Sequence, residues 1–248
     1  MFVKIGNFGY YWLDSWILAN VIQLATQEFC LRHLGRNNDP CGRQYDQMTQ
    51  AARSVTANIA EGSARHATSR ETEMKLYDVA RASLAELASD YVNWLLQHEN
   101  TPWSVKSEEY LEVCRISLKS PDYKDDIQHL SGVHILEQKH KFDKWLCSND
   151  SIVTANCLII PCSRLIIMLR KQISNQLESF KQEGGFTEAL TAERLAHRAE
   201  QSKNADAPIC PKCGKPMIRR VAKKGKNSGK EFWSCSGYPD CNGTRDFE

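Results

Sequence analysis

The sequence predicts a mainly α-helical protein that carries a small β module near its C-terminal end. Apolar residues recur every three or four positions through the first 183 residues, as they do on the buried face of a helix. Within this part of the chain, no Asn-Gly hairpin and no pair of alternating strands interrupts the pattern. The composition changes after residue 208, where four of the ten cysteines fall among many basic residues.

Two helices are predicted before residue 62. The first covers about residues 13–34, because Gly35 and Pro40 then stop the apolar pattern. The second covers about residues 44–61. A glycine directly after a periodic stretch is typical of a helix C-cap, so we expect Gly62 to end this helix.

The third predicted helix covers about residues 68–97. Thr68 and Glu71 form a capping-box pattern, in which each side chain bonds a backbone N–H of the first turn. Its apolar positions form a heptad seam that favours packing at a shallow angle against neighbouring helices. The seam residues are Tyr77, Ala80, Leu84, Leu87, Tyr91 and Trp94.

The remaining upstream chain divides into an insertion and a long helix. Residues 100–149 are irregular, with shorter helical stretches near 105–117 and 123–146. The long helix covers about residues 151–181, with Pro161 expected to kink it and Leu177 on its buried side. A short polar helix follows at about 187–201. These elements predict a helical domain over residues 1–200, a linker at 201–208 and a small domain at 209–248.

The net charge of +2 conceals an uneven distribution. From Pro208 onward the chain has nine basic and four acidic residues, whereas acidic residues outnumber basic ones upstream. A basic segment on a mildly acidic body is the pattern expected when that segment meets a polyanion.

The sequence favours a cytoplasmic protein that does not enter a membrane. Its first residues lack the charged region and apolar stretch of a signal peptide. The longest apolar run, residues 157–169, is interrupted by Pro161 and Arg164. We therefore expect the scattered cysteines to be reduced and mostly buried as small apolar residues.

Four cysteines near the C-terminal end have the spacing of a metal site. Two residues separate Cys210 from Cys213, and five separate Cys235 from Cys241. Two close pairs of thiolates can surround one zinc ion tetrahedrally, and the metal would supply folding energy to a unit too small for a full core. The alternative is a pair of disulfides, which a reducing compartment disfavours. We predict one structural Zn²⁺.

The stretches "CPKCGKPM" and "GKEFWSCSGYPDC" resemble the C-terminal C4 zinc-binding domain of type I DNA topoisomerases. The resemblance covers residues 209–247 and implies a zinc ribbon that binds DNA, often single-stranded, without cutting it. Basic side chains would contact phosphates, and exposed aromatic rings would stack on bases, whereas Phe232 is expected to pack inside. The candidate contacts are Lys212, Lys215, Arg219, Arg220, Lys223, Lys224, Lys226, Lys230, Trp233 and Tyr238.

The stretches "MTQAARSVTANIAEG" (48–62) and "TSRETEMKLYDVARASLAEL" (68–87) resemble the proteins known from intervening sequences in bacterial 23S ribosomal RNA. The accessory protein of diversity-generating retroelements is similar. This resemblance implies an up-and-down four-helix bundle that assembles as a ring, most typically a pentamer. Asn58, Glu61 and Gly62 would then serve assembly or a partner contact; the alternative is a role in packing or capping.

Three functional hypotheses follow, and none of them is enzymatic. The chain has no room for a topoisomerase, and Asp122, Asp125 and Asp126 suit a helix start better than a catalytic metal. The leading hypothesis is an oligomeric nucleic-acid-binding protein, with DNA favoured over RNA. The second is an accessory factor that binds RNA and a reverse transcriptase or another polymerase of a mobile element. The third is a protein-interaction scaffold with a structural zinc ribbon.

Overall fold

The computed structural model describes residues 9–35, 39–183, 188, 190–197, 207–222 and 229–246. The chain divides into two compact units, Met1–Phe186 and Thr187–Glu248. The first is helical. The second contains a helical segment at residues 190–197 and a small sheet. The domain bounds that the sequence predicts, 1–200 and 209–248, stay a prediction. Residues 201–206 of the predicted linker lie outside the described ranges.

The first unit is built from seven helices within the described ranges. After a 3₁₀ turn at Gly9–Trp12, they are α1 (Asp14–His33), α2 (Arg43–Arg65), α3 (Arg70–Gln97), α4 (Glu108–Arg115), α5 (Ile127–His140), α6 (Asp143–Leu146) and α7 (Ser151–Glu183). Helices α1, α2, α3 and α7 form a closed ring of neighbours, because α2 contacts α1 and α3, and α7 contacts α3 and α1. This arrangement confirms the predicted four-helix bundle with a helical insertion.

The bundle core follows the predicted periodicity for most of its length. All six seam residues of α3 are buried, and so are Leu158, Cys162, Leu165 and Leu169 of α7. Leu177 is an exception, because it is 43% exposed. In the last turns of α7 the half-buried positions are Gln172, Ile173, Gln176, Ser179 and Phe180, so the inward face of the helix does not include Leu177.

Helix α2 continues one turn beyond its predicted end. Gly62 is buried inside the helix, which ends at Arg65, so it is not a C-cap. A Cβ atom at Gly62 would lie 2.7 Å from Cε1 of the Tyr77 ring. The glycine is therefore a packing position, where the absence of a side chain lets an α3 ring lie against α2.

The cap of α3 lies one residue later than predicted. The Ser69 side chain, not that of Thr68, accepts a hydrogen bond from the backbone N–H of Thr72 at 3.2 Å. Thr68 instead donates to the Arg65 carbonyl. Ser69 has the extended backbone that an N-cap requires, and this favours its hydroxyl as the acceptor.

Helix α7 is long and apolar enough to cross a bilayer by length and composition alone. Over Ser151–Gln182 its most apolar window has a mean hydropathy of 2.0, and 56% of that window is buried inside the protein. These buried residues contact the other bundle helices, which is the usual environment of a core helix in a globular domain.

The sheet of the second unit has three antiparallel strands in the order β1, β2, β3. They are β1 (Met217–Val221), β2 (Glu231–Cys235) and β3 (Thr244–Asp246). Met217 is paired with Cys235, and Ser234 is paired with Thr244. The described part of this unit thus confirms a small C-terminal β module.

Candidate metal centre and nucleic-acid interface

The four cysteines converge from three separate segments. Cys210 and Cys213 lie in the turn before β1, Cys235 ends β2, and Cys241 lies in the loop before β3. Their four sulfur atoms all lie within 4.8 Å of one another. The sulfur atoms of Cys210 and Cys241 are 3.8 Å apart, and those of Cys213 and Cys235 are 3.3 Å apart.

These distances fit one tetrahedral zinc ion. A zinc ion about 2.3 Å from each sulfur would hold the sulfurs about 3.8 Å apart. Within the described ranges, the four cysteines are the one group of three or more His, Cys, Asp or Glu side chains arranged to hold a metal. The structure therefore confirms the predicted ligand set for one structural Zn²⁺.

Glycine backbones shape the ligand turns. Gly214 has a φ of +72° and donates its N–H to the Cys210 carbonyl at 3.0 Å, which closes the first turn. Gly237 donates its N–H to the Cys235 sulfur at 3.3 Å. Such backbone donors stabilise thiolates and orient them toward a metal.

Gly243 is a third glycine of the centre, and no sequence motif indicated its role. A Cβ atom on Gly243 would lie 2.3 Å from the Cys210 sulfur, so no side chain fits there. The Gly243 carbonyl also accepts the Cys235 backbone N–H at 2.9 Å. Its place two residues after a ligand is a weak signal in sequence, because the contact partner lies more than thirty residues away.

Hydrogen bonds and burial give the thiols different acidities. The backbone N–H of Lys212 is the main cause that lowers the pKa of the Cys210 thiol to about 7. The Gly237 N–H lowers the pKa of Cys235, but burial and the neighbouring thiols raise it to about 12. Zinc must therefore displace protons from this cluster, so its affinity falls as pH falls.

The two faces of the sheet have different roles. Side chains alternate along a strand, so Trp233 shares the face of the zinc ligand Cys235, while Phe232 and Ser234 share the other. Trp233 is only 9% exposed and packs with Met217 and Cys235. This corrects two expectations, because Trp233 belongs to the small core and Phe232 is the half-buried ring beside the surface. The spacing in the sequence carries this signal, because Trp233 lies two residues before the zinc ligand Cys235 and so shares its face of the strand.

The outer face of the sheet carries an open groove of about 760 Å³, which we call the aromatic groove. Phe232 and Tyr238 line it, and Tyr238 is 57% exposed, in agreement with the prediction. The Arg220 guanidinium lies over the Tyr238 ring, 5.8 Å from its centroid. The remaining described lining residues are Val221, Ala222, Ser234, Asn242 and Thr244.

The predicted basic contacts are distributed unequally around this groove. Arg220 lines it, whereas Arg219 lies on the opposite face of β1 and forms an ion pair with Glu231. Lys212 donates to the Asn242 side chain, and Lys215 and Lys230 are exposed. Three further predicted contacts, Lys223, Lys224 and Lys226, lie outside the described residues.

The comparison with protein families decides the nature of this module. Residues 207–248 match the model of the topoisomerase DNA-binding C4 zinc finger. This match covers the four ligands, all three strands and the aromatic groove, and we call the segment the zinc ribbon. It covers about a sixth of the chain, so it describes the zinc ribbon alone. The comparisons with curated proteins and with solved structures give no significant match.

The motif residues of α2 lie in ordinary helical surroundings. Asn58 donates to the carbonyl and the hydroxyl oxygen of Ser54, and that hydroxyl lies 3.1 Å from the Ser83 hydroxyl of α3. Glu61 is exposed and lies 3.9 Å from Arg65, while Gly62 contacts α3. The resemblance to the intervening-sequence family has no support from the family comparison, and it stays a prediction.

Proposed function

We propose that this chain is a non-enzymatic nucleic-acid-binding protein whose zinc ribbon holds single-stranded DNA in the aromatic groove. The observation that carries the proposal is the presence of two accessible aromatic rings and an arginine on one face of a zinc-supported sheet. Bases stack on such rings with little sequence preference, and an adjacent guanidinium adds attraction to phosphates and to π faces.

The module's family supports DNA as the ligand, since the matching model describes a DNA-binding finger. The shape of the site supports single strands, because the face of an unpaired base is free to stack on these rings. In a duplex, each base face is already covered by its neighbours in the stack. The excess of basic residues after Pro208 would add binding that weakens as salt concentration rises.

The proposed role of the helical bundle is to join several zinc ribbons in one homo-oligomeric ring. Several weak sites on one particle bind a strand far more tightly than one site does, because later contacts are intramolecular. Light scattering on the full-length protein tests this part. A monomer at micromolar concentration would contradict it and would leave DNA binding by a single ribbon intact.

Two neighbouring arginines provide a matched test of the groove. In fluorescence anisotropy with labelled single-stranded DNA, Arg220→Ala should weaken binding about tenfold, because it removes a donor and a charge from the groove. Arg219→Ala removes the same charge from the other face, where Glu231 already pairs with it, so we expect a change within about twofold.

Truncation and ligand choice complete the experiment. Removal of residues 207–248 should abolish binding at moderate salt, and duplex DNA and RNA of equal length should bind more weakly than single-stranded DNA. Equal losses from both arginine variants would contradict the assigned groove. Undiminished binding by the truncated chain would contradict the assignment of binding to the zinc ribbon.

A further inference from the structure

The lining of the aromatic groove includes the Asn242 amide, which bonds a neighbouring charge. The Lys212 ammonium donates to Oδ1 of Asn242 at 2.8 Å. An ammonium group can only donate, so this bond engages one of the two lone pairs of Oδ1 and leaves the Nδ2 hydrogens directed away from Lys212. Asn242 lines the groove, so these hydrogens are the donors that it can offer to a ligand there.

The metal centre holds this amide in place. Asn242 stands between the ligand Cys241 and Gly243, whose carbonyl accepts the Cys235 N–H at 2.9 Å. Cys241 in turn donates its N–H to the Gly237 carbonyl at 2.9 Å. A polar group on such a braced segment loses little conformational entropy when it binds a ligand.

The polar groups of the groove are biased toward donation. Arg220 can only donate, and Asn242 has its acceptor engaged by Lys212. Ser234 and Thr244, which are paired across β2 and β3, carry hydroxyls that donate and accept equally. No carboxylate is found among the described residues that line the groove.

We propose that Asn242, positioned by Lys212, makes the groove favour bases that carry an exocyclic carbonyl oxygen and disfavour adenine. Thymine, uracil, cytosine and guanine each have such an acceptor, whereas adenine presents an amino group in its place. A donor-lined groove leaves that amino group without an acceptor, and an unmatched polar group costs affinity. This inference rests on the proposed binding of single strands in the groove.

The test compares two purines that differ at C6, which carries an amino group in adenine and a carbonyl in hypoxanthine, and at N1, which is an acceptor in adenine and carries a hydrogen in hypoxanthine. Full-length protein is titrated with a short abasic oligonucleotide that carries two central adenines, and with the same strand carrying hypoxanthine, which has a carbonyl at the amino position. We expect hypoxanthine to bind about fivefold tighter, as one hydrogen bond allows. Asn242→Asp has nearly the same shape but replaces the amide donors with a carboxylate. It should therefore lower the affinity ratio, which is the affinity for the hypoxanthine strand divided by that for the adenine strand, to about one.

Lysine variants separate positioning from charge. Lys212→Met should also reduce the ratio, because the amide loses its orienting partner, whereas Lys215→Met removes the same charge outside the groove and should keep the ratio. Equal affinity of the native protein for both strands, or an unchanged ratio in Asn242→Asp, would overturn the inference alone. Failure of the native protein to bind any single strand would overturn the proposed function together with it.

Discussion

At the residue scale, the contact between α2 and the Tyr77 ring of α3 depends on Gly62. Glycine inside a helix costs about 1 kcal/mol relative to alanine, so its presence there needs a compensating contact. The Tyr77 ring supplies that contact, because it occupies the space where a Cβ would project. Tyr77 is itself 2% exposed, and burial, with Glu73 nearby, raises the pKa of its phenol far above the usual range.

Gly62→Ala should therefore destabilise the bundle despite alanine's better helix propensity. Overpacking costs about 1–3 kcal/mol, so we expect a net loss of up to about 2 kcal/mol in the free energy of unfolding. Urea denaturation followed by circular dichroism measures it. The control is Gly132→Ala inside α5, where a Cβ meets nothing within 4 Å and a small gain in stability is expected. Stabilisation by both changes would show that Tyr77 yields easily.

Gly243 has the same role for the metal centre. Gly243→Ala places a methyl group on the Cys210 sulfur and should lower zinc affinity at least tenfold, since it displaces a ligand. Competition with a chromophoric chelator measures the affinity. Gly237→Ala is the matched control, because its Cβ would meet the flexible Lys215 side chain at 3.4 Å and the Cys235 sulfur at 3.6 Å, which are ordinary contact distances. Equal zinc affinity in both variants would argue against a tight fit at Gly243.

At the element scale, polar bonds attach the insertion to the bundle. Arg164 of α7 donates to the Ile116 carbonyl at 2.7 Å, and the Lys139 ammonium of α5 pairs with Glu28 of α1 at 2.9 Å. Helix α5 packs against α1, while α4 and α6 pack against α7. The insertion is therefore part of the folded unit, and it covers bundle surface that would otherwise be available to a partner.

Asn156 makes a further buried hydrogen bond between α7 and the insertion. It is 3% exposed, and its Oδ1 accepts the backbone N–H of Trp103 at 2.6 Å. Asn156→Ala would leave that N–H without its acceptor and should cost about 1–3 kcal/mol in unfolding free energy.

The control is Asn93→Ala on the exposed side of α3, which should change the free energy of unfolding by less than about 0.5 kcal/mol. Thermal unfolding of both variants compares them, and equal midpoints would show that the Trp103 N–H finds another partner.

At the scale of the whole molecule, the two compact units should respond differently to loss of metal. The core of the zinc ribbon consists of Cys210, Met217, Trp233 and Cys235, of which two are zinc ligands, whereas the bundle has an extensive apolar core. The ribbon's stability therefore depends on the metal, and the bundle's does not.

Chelation of zinc should unfold the ribbon and leave the helices intact. Hydrogen exchange measured by mass spectrometry should show lost protection in peptides that cover β1 and β2, with α1 to α3 unchanged. Lowering the pH should have the same effect, because protons compete with zinc for the thiolates. Helical signal in circular dichroism is the control. Protected strands after chelation would contradict a metal-dependent fold.

Much of this architecture could be predicted from local patterns. Helical periodicity located α1, α2, α3 and α7 because each buries one continuous stripe, and cysteine spacing identified the zinc ligands because two short-range pairs can enclose one ion. Helix ends also depend on tertiary contacts. The exact end of α2 and the cap of α3 depended on the Tyr77 contact and on the backbone angles of Ser69.

The sequence by itself determined the helical bundle, the basic C-terminal segment and the metal that supports it, since each depends on residue type and spacing along the chain. The tertiary structure decided which aromatic ring of β2 faces outward, and it placed Tyr77 against Gly62 and the Cys210 sulfur against Gly243. It also brought Lys212 into contact with Asn242. Those features depend on atoms brought together from distant positions, where strand register and the zinc ligands define what each side chain meets.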